Sequence, residues 1–327
     1  MRKSLTYLLH SGKNSKALYY LQAYCRQLIP ESINRIVGQK LLAELHQRAD
    51  YLELKRLIDY YCKLSTPIPL PPDAPTFASF APPREGKVYY FDSQYIYRHF
   101  PPNLHWQIYP GDITFVPQVP AIVKSRPLVP DNINSVLLPL DKVRHLLFVN
   151  DTIDWKNKKN CAIFRGKMTG KRERIDFMNK YFGSDICDCG DVSRPSADVL
   201  PEWRKPLMPI DEHLKYRYII ALEGNDVASN LKWVMSSNSI AVMPRPTCES
   251  WFMEGTLQPN HHYIEIKPDY SDLPERIAYY NEHPNEAKCI IENAHRFVAP
   301  FRDAHLQRLI AIGVMEKYLA MTQGYTN

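Results

Sequence analysis

The sequence lacks any apolar run approaching the roughly 18–20 residues that a membrane-spanning helix needs. It also lacks a cysteine framework: seven cysteines, an odd number, fall at irregular spacings, which reads as reduced thiols in a cytoplasmic protein. The opening residues Met1–Lys16 have too short an apolar core and no small-residue cleavage site, so a secretory signal is not expected. No internal repeat or low-complexity tract occurs. Acid is missing locally: residues 1–30 contain Arg2, Lys3, Lys13, Lys16 and Arg26 but no Asp or Glu. Such a segment suits docking on an anionic membrane surface, and equally a solvated helix face. Nucleic-acid binding is not expected, because no recognised binding motif accompanies the charge.

What is present is ordinary globular composition, 45% hydrophobic and 23% charged with a net charge of +6, in a chain of 327 residues, enough for two α/β domains and a small extra one. Apolar residues at three- and four-residue spacing predict helices over Leu5–Leu9, Ala17–Leu28, Ile33–Gln47 and Tyr51–Lys63, with Ser32 as a cap. Fifteen of the 27 prolines fall between Pro67 and Pro139, so long helices are not expected from there to about Leu140; Lys87–Phe91 reads as a strand. Beyond it, Asn160–Phe164 reads as a strand, Gly166–Gly170 as a loop and Glu173–Phe182 as a helix. The stretch Tyr216–Val298 alternates short β-rich runs (Tyr218–Leu222, Ser239–Met243, Tyr263–Ile266) with helical ones (Ser229–Ser236, Trp251–Leu257, Asp272–Val298). That alternation predicts βαβ units on a parallel sheet. Gly224 closes one strand and the polar run Asn225–Asn230 opens the next helix, the position at which doubly wound sheets bind anions through free backbone N–H groups. A phosphorylated donor is the ligand this predicts.

The same stretch carries a resemblance. Glu223-Gly224-Asn225, Ser229-Asn230 with Lys232, Glu249 with Trp251-Phe252 and Glu254, His262-Tyr263-Ile264 with Ile266-Lys267-Pro268-Asp269, and Glu292-Asn293-Ala294 with Arg296-Phe297-Val298 resemble glycosyltransferase family 90. Phe164-Arg165-Gly166 followed by Thr169-Gly170-Lys171-Arg172 is similar to that family's Arg-Gly phosphate segment. Tyr109-Pro110-Gly111-Asp112, Val119–Pro127 and Asn134–Pro139 resemble its bacterial, lipopolysaccharide A-type branch. The resemblance covers roughly Ile108–Val298 and leaves residues 1–75 uncovered.

The resemblance implies an α/β fold of the GT-B type: two facing Rossmann-like domains behind an N-terminal helical segment. The expected division is 1–75 for the helical segment and proline-rich linker, 76–155 for the first, acceptor domain and 156–300 for the second, donor domain. Residues 301–327 follow, their helix His305–Met321 packing back on the first domain. It implies an inverting hexosyltransferase that moves glucose or galactose from a UDP-sugar to a core sugar, heptose by expectation, of lipopolysaccharide or lipooligosaccharide. The enzyme would be cytoplasmic, at most peripheral at the inner face of the inner membrane. A capsule or exopolysaccharide transferase, or a non-catalytic nucleotide-sugar or glycan-binding protein, are the alternatives.

Sugar transfer needs a base for the acceptor hydroxyl and positive charge for the leaving diphosphate. Asp112 matches the family's base, although a Pro-Gly-Asp turn also accounts for it. The diphosphate is expected on the loop cations Arg165, Lys167, Arg172 and Arg174, with Arg165 and Arg172 favoured, together with Thr169 and the backbone of Gly166 and Gly170. Asn225, Ser229, Asn230 and Lys232 are expected on the donor's other face. Eukaryotic O-glucosyltransferase members have an arginine near Asn230, so Lys232 or an arginine of the first loop replaces that charge. Glu249 or Glu254 would receive the ribose hydroxyls, or else simply start a helix, and Lys124 and Arg126 would hold anionic groups of the acceptor. No Asp-x-Asp occurs, Cys187-Asp188-Cys189 offers only two thiols and His261-His262 stands apart, so neither a metal nor another cofactor is expected.

Overall fold

The computed structural model describes residues 11–326. They form two compact units. One holds Ser15–Val143 and Thr247–Gly255, with the residues from Pro300 onward. The other holds Arg144–Pro246 and Thr256–Ala299, with the described residues up to Asn14. The helix predicted over Leu5–Leu9, and the cations Arg2 and Lys3, lie outside the described residues.

In the first of these units a small parallel sheet has the order β1-β2-β4, from β1 (Ile108–Tyr109), β2 (Ala121–Val123) and β4 (Ser135–Leu137). A two-stranded antiparallel ladder joins β3 (Ser125–Pro127) to Cys248–Ser250, the ninth strand in chain order. The helices Lys16–Gln27, Glu31–Gln47 and Tyr51–Tyr61 fall close to their predicted ranges. Ser32 is not a cap: the chain enters the helix at Glu31, with Pro30 in the capping position and no side-chain bond there.

The core of this unit forms around the helix Ala304–Gln323, which packs against Glu31–Gln47 and Tyr51–Tyr61. Leu309–Met315, Tyr318 and Leu319 are all buried on it. Through Leu309–Met315 the helix is apolar on every side and has no face to give to water. Asp303 starts it by accepting the N–H groups of His305 and Leu306, and Gly324 ends it at φ +66°, a left-handed conformation that costs glycine little.

One expectation fails here. Lys87–Phe91 is the start of a helix, Lys87–Tyr97, and not a strand. Its five residues read as β-rich because Val, Tyr and Phe favour strands. The whole proline-free stretch 84–100 instead places Tyr90, Phe91, Ser93, Ile96 and Tyr97 on a buried face at helical spacing. Tyr97 stacks on Phe77 at 4.9 Å, and tertiary packing overrides local preference.

The second unit is built on five parallel strands: β5 (Lys159–Gly166), β6 (Cys187–Asp191), β7 (Tyr216–Ile220), β8 (Ile240–Met243) and Ile264–Glu265, the tenth strand and so β10. Their order is β10-β8-β7-β5-β6. Strands covered on both faces become continuous apolar runs, and all four residues of β8 are buried. Phe164, Phe177, Tyr218, Val242 and Ile264 share one core with the helix Leu273–Glu282 and the start of Pro284–Val298. The predicted helix 229–236 shrinks to Leu231–Met235, and Trp251–Leu257 gives only the single turn Glu254–Thr256. All seven cysteines are free thiols.

Candidate functional site

In the Ser15–Val143 unit, β1 and β2 run parallel with Tyr109 opposite Val123, so their carboxyl ends coincide. Asp112 follows one end and Lys124 the other, and ligands of parallel sheets bind at that edge. Gly111 takes φ +116°, which lets the chain turn sharply after β1. The Lys124 ammonium donates to the Asp112 Oδ1. Its side chain is 1% exposed while that of Asp112 is 17% exposed, so a buried cation holds a carboxylate that still reaches solvent. Ser125 Oγ donates to the Ile113 carbonyl at 3.2 Å and ties down the same loop. Tyr109 and Phe115, three residues before and after Asp112 in the chain, have rings 5.8 Å apart, and Phe115 is exposed.

Arg126 takes a different role from the one expected. It is fully buried, donating through Nε to Glu249 Oε1 at 2.7 Å and through its other nitrogens to the carbonyls of Tyr60, Tyr61 and Ser135. The Tyr60 hydroxyl donates to the other Glu249 oxygen, and burial, then the Glu249 charge, drives the Tyr60 pKa far up. With four of its five N–H donors committed and the side chain fully buried, Arg126 is not open to an acceptor anion, nor is Glu249 to a ribose. The pair braces β3 against Cys248–Ser250, where Arg126 and Glu249 face each other. Glu254 is likewise buried and closes its own turn by accepting the Ser250 N–H at 2.6 Å and the Ser250 hydroxyl. Trp251, between the two glutamates, stacks on Tyr61 at 3.8 Å.

In the Arg144–Pro246 unit the strand order is that of a flavodoxin-like sheet: β6 lies on one side of β5, and β7 and then β8 on the other. The chain changes direction across the sheet between β5 and β7, and sheets of this order bind ligands outside the carboxyl ends of the strands at that point. Arg174 sits there. It is carried on the helix Arg172–Tyr181 and donates to the carbonyls of Glu223 (2.9 Å), Leu222 (2.8 Å) and Lys167 (3.1 Å). One guanidinium thus spans the loop after β5 and the loop after β7. Burial, and then repulsion from Arg144, lowers its pKa to about 10. Gly224 makes room for it: a Cβ there would lie 3.2 Å from an Arg174 nitrogen.

The arginines favoured from the sequence are placed elsewhere. Arg165 turns toward β6 and bonds the Asp188 carboxylate at 2.8 Å, where Lys205 and Tyr216 also donate. Burial opposes the charge of Asp188, but those three bonds more than offset it and hold its pKa at about 2. The Arg172 side chain is 92% exposed and only 4.0 Å from Asp176, a solvated pair. The Gly170 amide expected to meet phosphate is paired within the chain, donating to Asp198 at 2.8 Å, and the neighbouring amides are paired too, Met168 to Ser193 and Asp191 and Thr169 to Ser193. Gly166 approaches the Phe164 ring so closely that a Cβ would fall 2.9 Å from it.

Lys167, Thr169 and Asn225 are exposed beside Arg174's loops, and Ser229 is half-buried. Asn230 donates to the Ile220 carbonyl at 3.0 Å and pins its loop to β7. Lys232 is buried, in a helix of only five residues. Among the described residues, no three His, Cys, Asp or Glu side chains cluster as a metal site would require. No helix there is long and apolar enough to cross a membrane. Sequence reasoning passed over Arg174 as one loop cation of four. The signal it lacked is spatial, since which strands neighbour β5 is not written in the local pattern.

Comparison with known proteins joins these observations. The sequence profile described as glycosyl transferase family 90 matches residues 125–307. The O-glucosyltransferase LpsA of Dichelobacter nodosus is 37% identical over 270 residues, 83% of this chain and 84% of that protein. Protein O-glucosyltransferase 3 of Homo sapiens is 25% identical over 168 residues, 50% of this chain and 32% of that protein. Protein O-glucosyltransferase 2 of Danio rerio is 31% identical over 149 residues, 44% and 29% of the two chains. The chain belongs to glycosyl transferase family 90 and is a glycosyltransferase.

Proposed function

We propose that this chain is an inverting, metal-independent glucosyltransferase of the GT-B type, moving the hexose of a UDP-sugar onto a core sugar of a lipid-linked lipopolysaccharide or lipooligosaccharide acceptor. The observation that carries this reading is the Asp112 carboxylate, held by buried Lys124 at the carboxyl edge of a parallel sheet and still open to solvent. The similarity to an O-glucosyltransferase named LpsA supports glucose as the sugar.

In this reading Asp112 takes the proton of an acceptor hydroxyl as that oxygen bonds to the anomeric carbon. The bond from that carbon to the diphosphate oxygen breaks, the electron pair leaves with UDP, and the anomeric configuration inverts. Arg174 supplies fixed positive charge for the leaving diphosphate, with Lys167, Thr169, Asn225 and Ser229 around it. Phe115 and Tyr109 offer an aromatic surface on which a sugar face can pack beside the base. Arg126, Glu249 and Arg172 are not part of the proposed site.

The test is a transfer assay with UDP-glucose and UDP-galactose against purified core oligosaccharide, read by mass spectrometry, with the product anomer read by NMR. An inverted product from UDP-glucose is expected. Retention of configuration would overturn the single displacement. UDP binding without transfer to any glycan and without donor hydrolysis would favour a nucleotide-sugar binding protein, and transfer only to capsule or exopolysaccharide fragments would reassign the acceptor.

A further inference from the structure

The helix Lys16–Gln27 is packed the unusual way round. Two of its three tyrosines face inward: Tyr19, Tyr20 and Ala23 pack with Tyr90 and Phe91, and the Tyr19 hydroxyl donates to Asp92 at 2.9 Å, while Tyr24 is exposed. Its leucines face outward. Leu18, Leu21, Cys25 and Leu28 recur at i, i+3, i+7 and i+10, one stripe of the helix, and all are exposed, Leu21 by 62% and Leu28 by 83%. Across the turn at Pro30 the next helix, Glu31–Gln47, continues the exposure with Ile33 and Ile36. Seven of the exposed large apolar side chains among the described residues fall within 18–36, a concentration that marks an interaction surface rather than scattered surface residues.

The charge around this surface selects its partner. From Ser15 to Ala43 the chain carries Lys16, Arg26, Arg35 and Lys40 against one acid, Glu31, and Lys16, Arg35 and Lys40 are exposed. Exposed leucines and isoleucines bordered by cations fit the boundary between anionic headgroups and acyl chains: the cations stay with the headgroups while the stripe enters the hydrocarbon. A neutral protein partner would match the stripe and leave the cations unanswered.

We propose that the outward stripe of Lys16–Gln27, continued by Ile33 and Ile36, seats the enzyme on the surface of an anionic phospholipid bilayer. The inference rests on the lipid-linked-acceptor reading for its biological sense, since it would bring the enzyme to where such an acceptor is presented. Vesicle binding needs neither donor nor acceptor, so the two readings can fail separately.

The experiment is flotation of the full chain with vesicles of phosphatidylcholine alone or containing phosphatidylglycerol, at about 0.05 and 0.5 M salt. Two variants accompany it, Leu21→Asp with Leu28→Asp, and Lys16→Gln with Arg35→Gln and Lys40→Gln. All five side chains are exposed, and unchanged melting and donor hydrolysis would show that both variants fold. We expect preferential binding to the anionic vesicles that weakens with salt. The charge variant should lose about a hundredfold at low salt, roughly a factor of five per cation, and the leucine variant tenfold or more at either salt. Equal binding to neutral and anionic vesicles, or wild-type binding by both variants, would overturn the proposal. A dimer in sedimentation that the leucine variant abolishes, with no vesicle binding by the wild type, would assign the surface to a second copy and overturn it too.

Discussion

The Lys124 ammonium, all but sealed from solvent, donates to the Asp112 carboxylate at the carboxyl edge of a parallel sheet. Neither residue is remarkable alone. Together they fix a carboxylate at the place where such sheets meet ligands, and the first prediction concerns this pair. Asp112→Asn keeps the shape of the side chain and removes its ability to take a proton. Transfer should fall by about 10²–10⁴-fold, the usual contribution of a general base, with UDP affinity in calorimetry nearly unchanged. Near-wild-type turnover would return Asp112 to the status of a turn residue. Lys124→Gln should lower turnover as well, by releasing the carboxylate from its position.

Arg174→Ala should weaken UDP binding by about 10–150-fold, the effect of losing charge-assisted hydrogen bonds worth roughly 1.5–3 kcal/mol. Arg174→Lys should recover little, because one ammonium cannot span three carbonyls that a planar fork reaches. Arg172→Ala should leave UDP affinity within about twofold, since its pair with Asp176 is solvated. If calorimetry ranked these two arginines the other way, the diphosphate would belong on the helix start and not on the loops after β5 and β7.

Acid should destabilise the protein in two successive windows. His99 Nδ1 lies 2.7 Å from the Asn34 carbonyl and its Nε2 lies 2.9 Å from an Arg308 nitrogen. Arg308 only donates, so Nε2 accepts and the ring is neutral. Burial, with Arg308 adding to it, lowers the His99 pKa from 6.5 to about 4, and His213 is lowered likewise, chiefly by burial. Stability that is whole above pH 6.5 is therefore lost as pH falls toward 4. Asp188 then follows: its folded pKa near 2 lies below 3.8, so its contribution is lost between roughly pH 4 and 2. Urea midpoints measured from pH 8 to 2 should show both steps. Asp188→Asn should shrink the lower one, to which the lowered Asp59 also contributes, and leave the upper; an unchanged lower step would refute the assignment.

Transfer should survive EDTA. The positive charge proposed for the leaving group comes from Arg174 and its neighbours, and the sequence contains no Asp-x-Asp. Activity lost in EDTA and restored by Mn²⁺ would overturn both the metal-independent reading and the GT-B assignment.

Much of the parallel sheet was legible in the chain. Asn160–Phe164, Tyr218–Leu222 and Ser239–Met243 are apolar runs of strand length separated by helical periodicity, and β5, β7 and β8 occupy nearly those residues. Local pattern carries this information because a strand buried on both faces must be apolar throughout. The same reasoning failed at Lys87–Phe91, where four β-favouring residues in a run of five were too few to reveal a helical period that only becomes visible over eleven.

The sequence by itself determined the α/β class, the family and the chemical inventory of the two loops, because periodicity and residue type are local properties. Tertiary structure decided which charges face inward and which pair with one another. Arg126 and Glu249, 123 residues apart, meet only because β3 pairs with Cys248–Ser250, and that pairing turns two expected ligand contacts into a brace. Arg174, and not Arg165, joins the loops after β5 and β7 because β5 lies beside both β6 and β7: one neighbour supplies Asp188 to hold Arg165, and the loop after the other supplies the carbonyls that hold Arg174. A guanidinium's role follows from the donors it has left after folding, and that remainder is set by neighbours distant in the chain.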